Sequence, residues 1–354
     1  MAGDGARAAE VTIYDVAAAA GVSASTVSRA LAKPGRVSWR TAEHVRRVAG
    51  ELGYRSSRIQ VPLSTRGSGV LALVVADIAN PVFVGVVRGA ERVAVAHDLT
   101  LAVVETQESE RAEAQALARL EATVDGFVLA SSRLSDQEIR SVAKRKPVVV
   151  LNRSVRSVTS VVSDNVRAVK KAAEHLVGLG HTSITYLAGP EASHADGTRW
   201  RGLQEAGLEL DLRVGRVGPN LPTLRGGAVA AEAWARRPST AVIAFNDLMA
   251  IGFLRAVTAG GRRVPEDVSV VGFDNIVDAD IVRPGLTTIA SPLVEMGSAG
   301  VAHLAAGRPR EGGTGDPVLL PAWLVVRGST GPARTAPPGV RLRRARGPAP
   351  RAGS

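Results

Sequence analysis

Two periodicities divide the chain. From residue 12 to residue 54 apolar residues recur three or four positions apart, as on one face of a helix; from residue 69 they come in short unbroken runs separated by helical stretches. In the first region Thr12 is a candidate N-cap with Asp15 three positions on, and Val16 and Ala20 share the inner face of the helix that follows. Gly21 can supply the positive φ that stops it. Ser23 can cap a second helix with an inner face of Val27, Ala30 and Leu31. Ser38 can cap a third, whose Val45, Val48 and Leu52 turn inward. Three short helices with a tight turn between the first two predict a small bundle.

After Tyr54 comes a linker-like segment, RSSRIQVPLSTRGSG, and then a change of pattern. GVLALVV (69–75), LTLAVVE (99–105), DGFVLA (125–130), KPVVVLN (146–152), SITYLAG (183–189), TAVIAF (240–245) and VSVVGF (268–273) read as buried strands, with helical stretches such as 81–96 and 108–122 between them. This alternation predicts an α/β architecture of parallel sheets covered on both faces. Seven such units exceed one ordinary domain, so the expectation is two similar α/β subdomains behind an all-α head. The divisions expected are a disordered segment over 1–10, the head over 11–56, a linker over 57–68, the body over 69–330, and a flexible Pro/Gly/Arg-rich tail over 331–354.

The 354 residues contain no cysteine, which excludes disulfides, thiolate metal sites and a cysteine nucleophile. No metal or cofactor is expected. The first 25 residues hold no apolar segment with a cleavage site, and no apolar run approaches a membrane span, so a soluble cytoplasmic protein without membrane partners is expected. Charge sharpens the division. Residues 1–66 carry 10 Lys/Arg against 5 Asp/Glu, residues 331–354 carry 6 Arg and no acid, and residues 67–330 carry 28 of each sign. A net charge of +11 is thus confined to the two ends of a neutral body, as expected of a polyanion-binding head.

In a helix-turn-helix the first helix braces the second, whose N-terminal residues enter the major groove. Here the second helix opens with Ser23, Ala24, Ser25 and Thr26, and Ser28 and Arg29 follow one turn on. Small residues and hydroxyls allow close approach, and Arg29 can reach a guanine edge or a phosphate. Thr12, Tyr14, Arg36 and Ser38 complete the set of candidate DNA contacts, mainly to phosphate. A three-helix interaction module without nucleic acid is the alternative.

TIYDVAAAAGVSASTVSRAL and RVSWRTAEHVRRVAGELGY (36–54) closely resemble the DNA-binding headpiece of the lactose/galactose repressor family of bacterial transcription regulators. The likeness continues through DIANPVF (77–83), HLVGLGHTSITYLAGP (175–190), AFNDLMAIGFLRAV (244–257), RRVPEDVSVVGFDN (262–275), LTTIASPLVEMG (286–297) and LPAWLVVRGST (320–330). It implies a headpiece, a hinge helix and two periplasmic-binding-protein-like subdomains, with chain crossings near Asp164, Ser291 and Leu319. It also implies a homodimer on a two-fold symmetric double-stranded operator, and a small-molecule effector, a sugar or a related metabolite. By resemblance, Leu63 matches the leucine that wedges into the minor groove. Pro62 just before it departs from the pattern and would disrupt a hinge helix, leaving a shortened hinge that still inserts Leu63 or an unstructured linker.

Ligands of open α/β sheets bind at the carboxyl ends of strands. Asp77 and Asn80 follow the first strand run, Asn152 and Arg153 the fourth, Asn246 and Asp247 the sixth, and Asp274 and Asn275 the seventh. Such acceptors and amides suit a hydroxyl-rich ligand. The resemblance makes Arg199, read as starting the helix after SITYLAGP, the effector-contacting arginine, Asp274 the effector-binding aspartate, and Phe83 an aromatic packing on the ligand. Each has a plainer alternative: Asp164, Asn246 and Asp274 as caps, Arg199 as a buried ion-pair partner, Phe83 as core. The candidate effector set is Asp77, Asn80, Phe83, Arg153, Arg199, Asn246 and Asp274.

A nicotinamide enzyme is disfavoured, because VVADIANP lacks a Gly-rich phosphate turn, and a hydrolase by the absence of G-x-S-x-G and H-E-x-x-H. A transport solute-binding protein would lack a DNA-reading head. The reading is therefore a ligand-responsive repressor and not an enzyme.

Overall fold

The computed structural model describes residues 12–32, 37–52, 67–306 and 316–334, in two units that divide between Arg66 and Gly67. The first unit is three helices, α1 (Ile13–Ala19), α2 (Ala24–Ala32) and α3 (Trp39–Glu51). Thr12 and Asp15 form a full capping box on α1, and Gly21 takes φ 63° in the turn that follows. Ser23 accepts the Thr26 N–H at 3.2 Å and Ser38 accepts the Thr41 N–H at 3.2 Å, so each expected cap is in place. Val16, Ala20, Val27, Ala30, Val45 and Val48 are buried together with Ala42 and Ala49. Leu52 is a correction: it lies one residue past α3 and is exposed, and the small Ala42 and Ala49 fill the inner face instead.

The body runs β1 (Val70–Val75), α4 (Val82–Ala96), β2 (Thr100–Glu105), α5 (Glu110–Leu120), β3 (Gly126–Ala130), α6 (Asp136–Ala143), β4 (Val148–Leu151) and β5 (Thr159–Ser163). It continues with α7 (Asn165–Gly178), β6 (Ser183–Leu187), α8 (His194–Glu209), β7 (Arg213–Val217), α9 (Leu224–Ala235), β8 (Ala241–Ala244) and α10 (Asp247–Ala259). Last come β9 (Ser269–Asp274), α11 (Asp278–Ile281), β10 (Thr287–Ala290), α12 (Leu293–Ala305), β11 (Val318–Leu320) and β12 (Trp323–Val325).

Two six-stranded sheets result, ordered β11-β5-β4-β3-β1-β2 and β12-β10-β9-β8-β6-β7. All neighbours are parallel except the antiparallel pair of β10 and β12. The chain changes sheet at Asp164, at Ser291–Pro292, and at Pro321–Ala322 just after Leu319. Strand β1 shows why its sequence is continuously apolar: Leu71, Leu73 and Val75 pack under α4 and α12, while Ala72 and Val74 pack with α5 and α6 on the other face.

The apolar runs identify seven of the strands. Five others go unmarked because their residues are polar or their edges exposed. In β5 and β10 the chain buries Ser160, Ser163, Thr287 and Thr288. The Ser160 hydroxyl donates to the Val158 carbonyl and that of Thr288 to Asp247. The short β11 and β12 and the half-polar β7 are sheet edges.

Each subdomain has a helix pair packed backbone to backbone through reciprocal glycines. A Cβ on Gly89 in α4 would overlap the Val294 carbonyl of α12, and one on Gly297 in α12 would overlap the Val86 carbonyl of α4. Gly227 in α9 and Gly252 in α10 meet the Met249 and Leu224 carbonyls in the same way. Gly297→Ala should therefore lower stability by at least about 1–3 kcal/mol, because overlap with an immobile carbonyl outweighs the ~1 kcal/mol helix-propensity gain. Urea unfolding of the purified protein measures the change, and a variant as stable as the parent would contradict this packing.

Candidate functional site

The headpiece presents the opening of α2. Tyr14, Ser23, Ser25 and Ser38 are exposed, while Ala24, Thr26 and Ser28 are half-buried. The Ser23 hydroxyl lies 2.8 Å from that of Thr26 and 2.9 Å from that of Ser25, so the helix opens on a cluster of hydroxyls. Thr12 is exposed, and its hydroxyl donates to Asp15 at 2.6 Å. Arg29 lies within α2. Arg36, Leu63 and Pro62 lie outside the described residues.

In the body, a cleft opens between the two sheets at the carboxyl ends of their strands. Asn80, Phe83, Arg199, Asn246 and Asp274 all line it. Arg199 is a correction in place: α8 starts five residues earlier, at His194, because Ser193 caps it by accepting the Asp196 N–H at 3.3 Å. Arg199 therefore sits one turn and a half inside α8, with its side chain only 6% exposed. Its guanidinium stands 3.5 Å from the centre of the Phe273 ring and 5.0 Å from that of Phe245. Nη1 donates to the Phe245 carbonyl, Nη2 approaches Asp274 Oδ1 at 3.4 Å, and Nε is buried with no partner. Buried Asp196 braces that first turn of α8, accepting from the Tyr186 hydroxyl at 2.9 Å, the Gly189 N–H at 2.7 Å and Arg216 at 2.6 Å.

Two members of the expected set lie elsewhere. Asp77 closes the turn after β1, where its carboxylate accepts the Ala79 N–H at 2.9 Å. Arg153 borders a smaller adjoining recess, and its guanidinium donates to the Leu134 carbonyl and to Asp136. Neither lines the main cleft. The plainer roles coexist with cleft positions for others. Asn246 lines the cleft, yet it caps α10 through the Met249 N–H at 2.9 Å and donates to the Pro222 carbonyl at 3.0 Å. Phe83 lines the cleft and belongs to the core under β1. Asp164, away from the cleft lining, caps α7.

Asn152, expected at the cleft as the residue after the fourth strand run, lines it, and so do Glu108, Ser131, Arg133, Ser193 and Phe245, which were not expected there. Arg133 Nε donates to Glu108 Oε2 at 2.7 Å and Nη1 to the Ser131 carbonyl at 3.0 Å. One local signal marks several of these positions. Glu108, Ser131, Asn152 and Asp274 have φ of 59°, 64°, 61° and 103°, a left-handed backbone uncommon for non-glycine residues that costs of order 1–3 kcal/mol each. Asn and Asp tolerate it best, so Asn152 and Asp274 are the two whose residue type hints at it.

The geometry suits a ligand with adjacent hydroxyls. Arg199, a donor, and Asp274, an acceptor, line the cleft side by side, so neighbouring hydroxyls can accept from one and donate to the other. Beside the cleft, burial and then the charge of Asp274 push the Asp247 carboxyl up to about 8. Burial also pushes Asp274 up, against the pull of Arg199.

The comparisons agree on one family. Residues 12–57 match the family described as bacterial regulatory proteins, lacI family, and residues 173–330 match the periplasmic binding protein-like domain. The chain is 32% identical over 339 residues to the HTH-type transcriptional regulator DegA of Bacillus subtilis (strain 168), covering 92% of this chain and all of that one. It is 32% identical to the HTH-type transcriptional repressor CytR of Escherichia coli (strain K12), covering 90% and 96%. Among solved structures, it is similar to the lac repressor dimer bound to operator and the anti-inducer ONPF, with 29% identity, TM-score 0.79 and coverage of 91% and 99%. It is also similar to a LacI family transcriptional regulator from Enterococcus faecium with bound ribose, with 28% identity, TM-score 0.66 and coverage of 75% and 100%.

The raised Asp247 pKa makes stability depend on pH with a defined sign. An ordinary aspartate titrates near 3.8, so between about pH 4 and 8 the folded body holds a proton that the unfolded chain has released. Stability should fall as pH rises through that window, by on the order of 1 kcal/mol per pH unit at most, and level off above it. Asp247→Asn should flatten the slope, since Thr288 can turn its hydroxyl to accept from the new amide. Urea unfolding of both proteins from pH 5 to 8 tests this. Their difference isolates Asp247 from His181, whose pKa burial lowers and which acts with the opposite sign.

Proposed function

The chain belongs to the lacI family of bacterial regulatory proteins, and on that premise we propose that it is a transcription repressor whose operator affinity responds to a sugar-like effector bound in the body's cleft. The observation that carries the effector reading is the convergence of four left-handed residues, Glu108, Ser131, Asn152 and Asp274, on one cleft that is also lined by Arg199, whose Nε is buried and unpartnered. A fold retains strain of this kind where function requires it. The bound ribose of one similar structure supports the ligand class.

The headpiece supports a helix-turn-helix reader: a capped, hydroxyl-rich helix start on a helix that also carries Arg29. One such head reads few base pairs, so a two-fold symmetric operator requires two. The lac repressor dimer on its operator supports the same assembly here. Val277 and Ile281, 75% and 65% exposed and one helical turn apart at α11, are apolar residues suited to a subunit contact. An effector that prefers a closed cleft would alter the pose of the paired heads, and with it operator affinity, by linkage. The relatives are regulators and not enzymes, which supports a non-catalytic reading.

The experiment is selection of bound duplexes from random DNA by the full-length protein, repeated with a panel of free sugars present. The expected result is a two-fold symmetric site whose recovery one sugar changes; only salt-sensitive binding without sequence preference would overturn the proposal. On the selected site, Arg29→Ala should cost on the order of 1–3 kcal/mol and relax one base position. A uniform loss across all sequences would place Arg29 on phosphate. Ile281→Asp should give monomers by sedimentation velocity and abolish operator binding.

A further inference from the structure

The charged groups of the cleft are matched in pairs. Among the described residues that line it, the two cations are Arg133 and Arg199, and each meets a carboxylate, Glu108 and Asp274 respectively. The adjoining recess repeats the pattern, with Arg153 against Asp136. A guanidinium does not lose its proton in a protein, so these charges are permanent and their neutralisation must come from a partner.

The Arg133–Glu108 pair is a built feature. The Arg133 side chain is 7% exposed. Its Nε donates to Glu108 Oε2 at 2.7 Å, its Nη1 donates to the Ser131 carbonyl at 3.0 Å, and its own backbone N–H donates to the buried Glu113 at 2.8 Å. The pair ties the loop after β2 to the loop after β3, and Glu108 and Ser131, the two residues that accept from Arg133, both have left-handed backbone. An arginine already engaged by a carboxylate and a carbonyl is the opposite of what an anion-binding cleft needs. Such a cleft would leave a guanidinium free to fork onto phosphate or carboxylate.

An anionic ligand entering this cleft would find no unmatched cation and two carboxylates. It would either be desolvated without compensation or would have to pull a carboxylate away from a buried guanidinium, and both are unfavourable. A hydroxyl, both donor and acceptor, faces no such penalty. We propose that the Arg133–Glu108 pair is the specificity-determining element that restricts the cleft to uncharged polyhydroxy ligands, free sugars as opposed to their phosphate esters or acids. This rests on the effector reading above and adds the charge class of the ligand and the residues that set it.

The test is calorimetric titration of the full-length protein with free pentoses and hexoses, the 5- or 6-phosphate of each, and the hexuronic acids. The wild-type protein should bind at least one free sugar, with its charged counterpart weaker by about 100-fold or more. Glu108→Gln leaves the Arg133 charge unmatched and should narrow that gap by at least about tenfold, through gain of the charged ligand. The double variant Glu108→Gln, Arg133→Gln removes both charges and should restore the rejection, which a general loosening of the cleft would not do. A charged sugar bound as tightly as its free counterpart by the wild-type protein, or an unchanged ratio in folded Glu108→Gln, would overturn the proposal and leave the effector reading standing. Failure of the folded wild-type protein to bind either class would defeat the effector reading, and this proposal with it.

Discussion

A parallel sheet must be covered on both faces, and that constraint organises the body. Each strand has to return through a crossover to run beside its neighbour in the same direction, which brings every carboxyl end to one edge of the sheet. Each of the two sheets reverses its order once, between β1 and β3 in one and between β6 and β8 in the other. Such a reversal leaves a crevice. Asn80, Ser131, Ser193 and Asn246 follow those four strands, and all four line the one cleft.

Close packing behind the cleft lets its edge be strained. The α4–α12 and α9–α10 pairs touch backbone to backbone at Gly89, Gly297, Gly227 and Gly252, so each subdomain has a stiff flank with little room to relax. Against such flanks the unfavourable dihedrals of Glu108, Ser131, Asn152 and Asp274 can be held. Among the described residues, three chain segments join the subdomains, at Asp164, Ser291–Pro292 and Pro321–Ala322. Stiff bodies with few connections move as units about short segments, which is the mechanical requirement for a ligand to act at a distance.

Electrostatics pairs the charges of the cleft. Arg199 lies against the Phe273 ring and Asp274, and Arg133 is held by Glu108 and the Ser131 carbonyl. Arg199 and Asp274 are both buried and so is the Arg133 side chain, so breaking either pair would strand a guanidinium whose removal from solvent is no longer compensated. Burial likewise keeps Asp247 protonated near neutrality beside Asp274.

The sequence by itself determined whatever is set within a few residues. The caps Thr12, Ser23 and Ser38, the turn at Gly21 and seven strands were legible because caps and apolar runs act locally. Asn80, Asn152, Asn246 and Asp274 were legible as cleft residues because they follow strand runs, and Arg199 and Phe83 through family resemblance. Tertiary structure alone decided the rest. It exposed Leu52, turned Asp77 into a local turn and drew Arg153 towards Asp136. It also joined Arg133 to Glu108 across 25 residues and Arg199 to Asp274 across 75. Side-chain pairing over such distances follows from which strands become neighbours, and no periodicity along the chain carries that information.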